Sequence, residues 1–376
     1  MEQKAEQEHS HKNSKILKAL SPRNIIIPVL IGLGYAGWLL YDDIVNKNLL
    51  KEFKNPNYFW LAMALMSLVI RDGFYIYRIR EISRRALDWL GSFYVIILWE
   101  FSSAVSPSAV GGTAVASFLL ASERISFGKS LAYILVSAIL DNMFFILVGA
   151  LVLILDNSGF YPNGIFHLEG VDAAWVSGLK YTFYTSYSVI AVYTLIMIIG
   201  VFFKPKAIKS LFIAVTSIGF LKRFQKAAEH QGDELIIGSK ELQGIELSYW
   251  LKAIFSTIFI WTSRYLIVNC LIAAFVPIMG WEHTIIFSRH VILWVILIIA
   301  ITPGGSGIAE KAFVVFFTPF AGVMTGFISI LWRMITYYPY LIAGVIFLPR
   351  WLRRVFVELP EHTKVEQSHE REQKHT

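Results

Sequence analysis

The sequence is short of charge and of cysteine. Only 16% of its 376 residues are charged, against 56% hydrophobic and 15% aromatic. An average soluble domain carries about 25% charged residues. This chain cannot cover a water-exposed surface at that content, which excludes a soluble globular enzyme and a disordered chain. The single cysteine, Cys270, lies inside an apolar run. It excludes an intrachain disulfide and a zinc site built on several cysteines. The nine histidines lack His-x-x-x-His and His-Glu-x-x-His spacing, so no metal and no cofactor is expected. Short alternating strands are lacking too. The apolar runs are continuous, which argues against an outer-membrane barrel.

What the chain has instead is long apolar stretches with 11 Trp, 17 Tyr and 28 Phe, a composition suited to a bilayer and its interfaces. Its net charge of +7 reads as the basic bias of cytoplasmic loops rather than as a nucleic-acid footprint. A spanning helix needs about 20 mainly apolar residues. Six runs qualify: 24–41, 58–77, 129–155, 178–203, 246–276 and 322–348. No small-x-small cleavage site follows the first, so it is expected to remain as a helix. Two further runs, 86–105 and 285–301, end at Pro and Gly, and each is followed by a short apolar piece, at 110–121 and 308–320.

Charge sets the expected orientation. Lys12, Lys15, Lys18 and Arg23 precede the first run. Arg78, Arg80, Arg84 and Arg85 follow the second, and Lys204, Lys206, Lys209, Lys222, Arg223 and Lys226 follow Phe203. Arg350, Arg353 and Arg354 close the apolar region, whereas 156–177 and 277–284 hold no Lys or Arg, which suits external loops. Lys47, Lys51 and Lys54 in the first outer loop are partly offset by Asp42, Asp43 and Glu52. Both termini are therefore expected in the cytoplasm of an inner, multi-pass membrane protein.

Counting crossings from there, 86–122 must enter and leave on the cytoplasmic side, and 284–321 on the outer side. The expected fold is all-α and polytopic: six spanning helices plus two re-entrant helical hairpins, one from each face, in inverted repeats. The repeats are placed at 86–203 and 246–348, inside a transmembrane domain at 24–354 flanked by polar tails at 1–23 and 355–376. Eight plain spans is the competing topology. Residues 206–224 form an amphipathic stretch suited to the inner surface. Residues 229–244 and 360–376 are polar and expected to be flexible.

The strongest local signal is Thr302-Pro303-Gly304-Gly305-Ser306-Gly307-Ile308-Ala309-Glu310-Lys311. Pro and Gly break a helix there. Broken backbone at membrane depth is tolerated only within protein or beside a water-filled cavity, and the half-helix that follows offers free N–H groups to an anion such as a phosphate. A kink or short outer loop is the plainer reading. The counterpart Ser106-Pro107-Ser108-Ala109-Val110-Gly111-Gly112-Thr113 has the same ingredients.

Ionisable residues inside the apolar runs are Glu100, Asp141, Arg264, Glu310, Lys311 and Arg333. Each costs about 2.5–3.5 kcal/mol or more at a helix centre unless paired or hydrated. Arg264 and Arg333 could hold a phosphate through two parallel hydrogen bonds. Asp141 and Glu310 could neutralise those arginines or carry a proton. Buried pairs that only stabilise the bundle are the alternative. Tyr337-Tyr338-Pro339 adds a kink and hydroxyls near Arg333. Gly128-Lys129-Ser130 imitates a P-loop, but Glu123 stands where its first glycine would.

On Ser106–Thr113, on Pro303-Gly304-Gly305-Ser306-Gly307 with Glu310, and on Trp332-Arg333 with Tyr337-Tyr338-Pro339, the chain resembles the transmembrane, flippase-like domain of the lysylphosphatidylglycerol synthase superfamily. The resemblance spans about residues 24–354. It implies two re-entrant hairpins in inverted halves and movement of a lipid between leaflets. Synthase members carry a cytosolic aminoacyl transferase after the membrane region, whereas about twenty polar residues follow Arg354 here, so lysyl-lipid synthesis is not expected.

The expected function is translocation of a phosphate-bearing lipid, a phospholipid or a polyprenyl phosphate. The expected binding residues are Pro107, Gly111, Gly112, Thr113, Asp141, Arg264, Pro303, Gly304, Gly305, Ser306, Gly307, Glu310, Arg333 and Tyr337, with no catalytic residue and no metal. Partners are membrane lipids of anionic character and no nucleic acid, and self-association is left open. Two rivals stand beside it: an intramembrane enzyme using Glu310 or Asp141 as base, and a membrane scaffold whose buried charges serve packing.

Overall fold

The computed structural model describes residues 56–105, 109–161, 164–168, 171–217, 222, 224–298 and 308–358. Among these residues the chain is all helical, with no strand. Five segments are long and apolar enough to cross a membrane: Tyr58–Ile82, Phe127–Asn157, Ala173–Phe203, Leu247–Phe275 and Ile308–Phe356. The first expected run, 24–41, lies outside the described residues.

Helix α1 (Tyr58–Ile82) starts at Asn57, whose side chain accepts from the Phe59 N–H at 3.1 Å and so fills one of the orphan donors of the first turn. It ends at a turn in which Arg84 and Arg85 both take left-handed backbone, φ +54° and +62°. Ser67, Arg71, Tyr75, Arg78 and Ile82 are buried along it. Their spacing of three or four residues puts them on one face. Arg78 was expected in the cytoplasmic segment after this helix. It is instead enclosed within it, because α1 runs five residues past Tyr77.

The α1 face packs along helix α8 (Leu247–Phe275) over its whole length. The Asn57 N–H donates to the Ala274 carbonyl at 2.7 Å at one end, and the Tyr249 hydroxyl to the Ile82 carbonyl at 3.0 Å at the other. The two helices are therefore antiparallel.

Two short helices follow α1: α2 (Trp89–Val105) and α3 (Ala109–Ser122), of 17 and 14 residues. At 1.5 Å per residue they are about 26 and 21 Å long, short of the roughly 30 Å hydrocarbon core. They pack on each other so closely that a Cβ on Gly112 would strike the Ser103 side chain. Their outer ends lie together. Arg354 donates to Asp88, just before α2, at 2.8 Å and to Glu123, just after α3, at 3.3 Å. The Trp351 indole also donates to Glu123, at 3.0 Å. Burial pushes the Glu123 carboxyl above the usual range, and Arg354 opposes the shift.

Helices α4 (Phe127–Asn157) and α5 (Ala173–Ile198, with a π turn Ile199–Phe203) precede a pair outside the bundle core, α6 (Pro205–Thr216) and α7 (Gln225–Glu241). Residues 229–244 were expected to be flexible, but most of them belong to α7. Leu235, Ser239 and Leu242 are buried, and Lys129 on α4 pairs with Glu241 at 2.6 Å. Gly128 is where α4 touches this helix: a Cβ there would stand 2.7 Å from the Gln231 carbonyl. The apparent P-loop fragment is thus a helix-packing contact.

The last part repeats the order long, short, short. After α8 come α9 (Gly280–Leu297) and α10 (Ile308–Ala321), then a 3₁₀ turn (Gly322–Met324), α11 (Thr325–Thr336) and α12 (Tyr338–Arg353), which ends in a π turn (Arg354–Glu358). The single span expected over 322–348 is two helices. Tyr337 leaves helical geometry, at φ −127° and ψ −58°, and Pro339 in the first turn of α12 lacks the N–H that would continue α11.

Candidate functional site

The face of α1 supplies two arginines to the bundle interior. Arg78 is locked. Its guanidinium donates to Asp141 of α4 at 2.5 and 3.0 Å, to Thr257 of α8 at 2.8 Å and to Ser137 at 2.9 Å. Asp141 also accepts from the Trp261 indole at 2.6 Å and from the Tyr75 hydroxyl at 3.4 Å. A carboxylate with this many donors is held in a fixed place. Asp141 thus neutralises Arg78, and not Arg264 or Arg333 as the sequence reading allowed.

Two turns away, Arg71 lies between two carboxylates. It pairs with Asp72 at 2.7 Å and, more closely, with Glu100 of α2. It also donates to the Tyr340 hydroxyl of α12, which in turn donates to Asp72 at 2.8 and 2.9 Å. Arg264 of α8 approaches Glu100 from the other side, at 3.8 Å. The indoles of Trp294, 4.4 Å away, and Trp261, 5.4 Å away, flank its guanidinium. Cation–π contact positions the group without consuming its N–H donors.

Exposure separates these groups. The side chains of Arg71 and Arg78 keep 2% and 1% of their surface, whereas Arg264 and Glu100 keep 16% and 17%. Arg264 is the loosely held arginine, with open donors and a distant carboxylate.

Arg333 of α11 forms a third unit. It pairs with Glu310, in the first turn of α10, at 2.6 Å, and its guanidinium lies 5.0 Å from the Trp332 ring and 5.1 Å from that of Tyr337. Both members are buried. The Tyr337 hydroxyl donates to the Ala104 carbonyl at 3.1 Å, which ties the break between α11 and α12 to the C-terminal end of α2. Lys311, expected among the buried charges, is exposed and stands 4.5 Å from the Trp175 ring.

Gly111, Gly112 and Thr113 lie in the N-terminal turns of α3, and Gly112 is buried at the α2 contact. Pro107, Pro303, Gly304, Gly305, Ser306 and Gly307 lie outside the described residues. Among the described residues, no group of three or more His, Cys, Asp or Glu side chains could hold a metal.

Besides Arg78, three charged participants escaped the sequence reading. Arg71 and Asp72 sit in the middle of the 58–77 run and carry the same signal as Glu100. Arg289 lies within 285–301. It is buried and donates to the carbonyls of Ile165 at 3.1 Å, His167 at 2.5 Å and Phe316 at 3.0 Å, which fixes the α4–α5 loop onto α9 and α10.

Long apolar helices and charges paired inside the bundle define a multi-pass α-helical membrane protein. Comparison with known sequences narrows the class: residues 25–344 match the family described as the lysylphosphatidylglycerol synthase TM region, and the chain belongs to that family. It is also similar to a UPF0104 membrane protein of Archaeoglobus fulgidus, 25% identical over 323 residues, which covers 83% of this chain and 86% of the relative.

Proposed function

We propose that the protein moves a phosphate-bearing lipid between the leaflets of the cytoplasmic membrane, and that it is a transporter rather than an enzyme. The observation that carries this reading is Arg264. It is a guanidinium inside the bundle, positioned by two indoles, partly exposed, and only loosely matched by Glu100. Such a group offers a planar fork of donors to a phosphate. The other buried arginines with carboxylate partners already have them at 2.7 Å or closer.

The element order supports the same reading. Helices α2 and α3 are each too short to span, and their outer ends meet at Arg354. That is what a hairpin re-entering from the cytoplasm would require. Helices α9 and α10 follow α8 as α2 and α3 follow α1. Because α1 and α8 are antiparallel, the second pair would enter from the opposite face. In this reading both termini are cytoplasmic, and the N-termini of α3 and α10 point toward the head group near the midplane. The acyl or prenyl chains stay in the bilayer. Alternation of the two halves then exposes the site to each side.

The test is reconstitution into vesicles carrying labelled phosphatidylglycerol or a labelled polyprenyl phosphate, with the fraction open to an outside quencher recorded over time. Vesicles without protein expose about half of the label, as the outer leaflet does. The wild type should expose more than that for at least one probe. Arg264→Ala should fall back to the protein-free rate, with Arg264→Lys in between. Wild-type protein that moves neither probe, or Arg264→Ala that moves it at the wild-type rate, would refute the proposal.

A further inference from the structure

Resting on that reading, charge balance around Arg264 leads to a second conclusion. The central group holds two cations, Arg71 and Arg264, and two carboxylates, Asp72 and Glu100. It is neutral as it stands. A phosphodiester that takes Arg264 adds one negative charge and removes the second cation from Glu100. Two carboxylates then share Arg71 alone. Two like charges at one buried cation do not both stay ionised; one takes a proton.

Geometry decides which. Asp72 keeps all of its partners when Arg264 is taken: Arg71 at 2.7 Å and the Tyr340 hydroxyl at 2.8 and 2.9 Å. Glu100 keeps only Arg71. The ionisable groups that face it are Arg71, Asp72 and Tyr75 from α1, Arg264 from α8 and Tyr340 from α12, while α3, packed on the same helix, contributes none. We infer that Glu100 is a proton-coupling residue: the protein binds one proton at the Glu100 carboxylate with each anionic head group held by Arg264. The proton comes from water reached through the exposed edge of the pair and returns to water when the head group leaves. Each cycle would then carry one proton with one lipid anion, so that no net charge is left inside the bundle.

The probe is dihexanoyl phosphatidylglycerol, a water-soluble phosphodiester, bound to the purified full-length protein in neutral detergent. A monoester would confuse the result, because its own second pKa lies near 6. Where the free Glu100 is ionised and the lipid-bound form protonated, one linked proton means that affinity falls about tenfold per pH unit. Titration calorimetry in two buffers of different ionisation enthalpy should show uptake of about one proton per lipid bound. Glu100→Gln should bind with no pH dependence and no proton uptake, and Asp72→Asn, which leaves Glu100 alone with Arg71, should take up less than the wild type. A wild-type affinity that is flat with pH and shows no proton uptake overturns the inference and leaves Arg264 as the head-group site. A pH dependence and proton uptake that survive in Glu100→Gln overturn the assignment to Glu100. Absence of saturable binding, or binding that Arg264→Ala leaves unchanged, overturns the site itself and the proton step with it. The proton count on the wild type needs no variant to fold.

Discussion

Asp141 gathers four hydrogen bonds from Arg78, Trp261 and Tyr75 within the bundle, and its role follows from what its loss would leave behind. Asp141→Asn strands the Arg78 guanidinium, 1% exposed, without a counter-charge. Breaking a buried pair from one side costs about 3–5 kcal/mol, whereas replacing both partners by apolar groups of similar size is often neutral. Asp141→Asn should therefore lower the thermal midpoint in detergent by many degrees, and Arg78→Met with Asp141→Leu should recover most of it. A single variant as stable as wild type would show that the pair holds nothing together. At this scale the sequence was partly legible. Glu100, Asp141, Arg264, Glu310 and Arg333 stood out because an ionisable side chain inside an apolar run needs a partner, and each of the five has one in the structure. Who pairs with whom was hidden. Arg78 and Asp141 are 63 residues apart, and only the packing of α1 on α4 and α8 brings them together. Arg78 was masked further by the basic cluster that follows it, which reads as one cytoplasmic group until the helix is seen to extend to Ile82.

Elements meet through small residues, and one contact sets the spacing of the second half against the first. Gly344 on α12 faces Phe101 on α2, and a Cβ there would overlap the Phe101 ring. Phe101 is 1% exposed, so its ring is enclosed by neighbouring side chains. Gly344→Ala should then push α2 and α12 apart at a cost of about 1–3 kcal/mol, the usual penalty of overpacking. Phe101→Leu alone should also destabilise. The double variant should be more stable than the sum of the two predicts, because each change makes room for the other. Additive losses would place the contact elsewhere. Helix positions were largely readable from apolar runs, but breaks and polar helices were not. Tyr337 interrupts what looked like one span, since Pro339 cannot donate to the turn before it and the hydroxyl of Tyr337 finds the Ala104 carbonyl. Helix α7 looked like linker because its sequence is polar; it is helical because Leu235 and Leu242 bury against the bundle while its charged residues meet Lys129 and Lys209.

Across the described residues, most charged side chains of the long helices are buried or lie near helix ends, and large apolar ones face outward along α1, α4, α5 and α8, among them Leu65, Leu151, Val192 and Ile258. Bilayer surrounds such a surface, and orientation in it is the remaining global property. The segment from Lys204 to Lys226 carries six basic residues, whereas 156–177 carries none. On the proposed reading, the positive-inside rule would put α6 and α7 in the cytoplasm and the α4–α5 loop outside. The sole cysteine, Cys270, is buried at 4% exposure, so the unmodified protein gives a low background with a membrane-impermeant maleimide. On intact cells Ser158→Cys should be labelled. Ser217→Cys should be labelled only after the membrane is opened. Ala86→Cys and Phe127→Cys test the hairpin at the same time, because they flank α2 and α3 on either side. If that pair enters and leaves on one face, both should behave as Ser217→Cys does. If the stretch crosses once, one of them should follow Ser158→Cys instead. That pattern would separate the ends that Arg354 joins through Asp88 and Glu123, and would remove the opposed hairpins that the proposed alternate exposure of Arg264 requires.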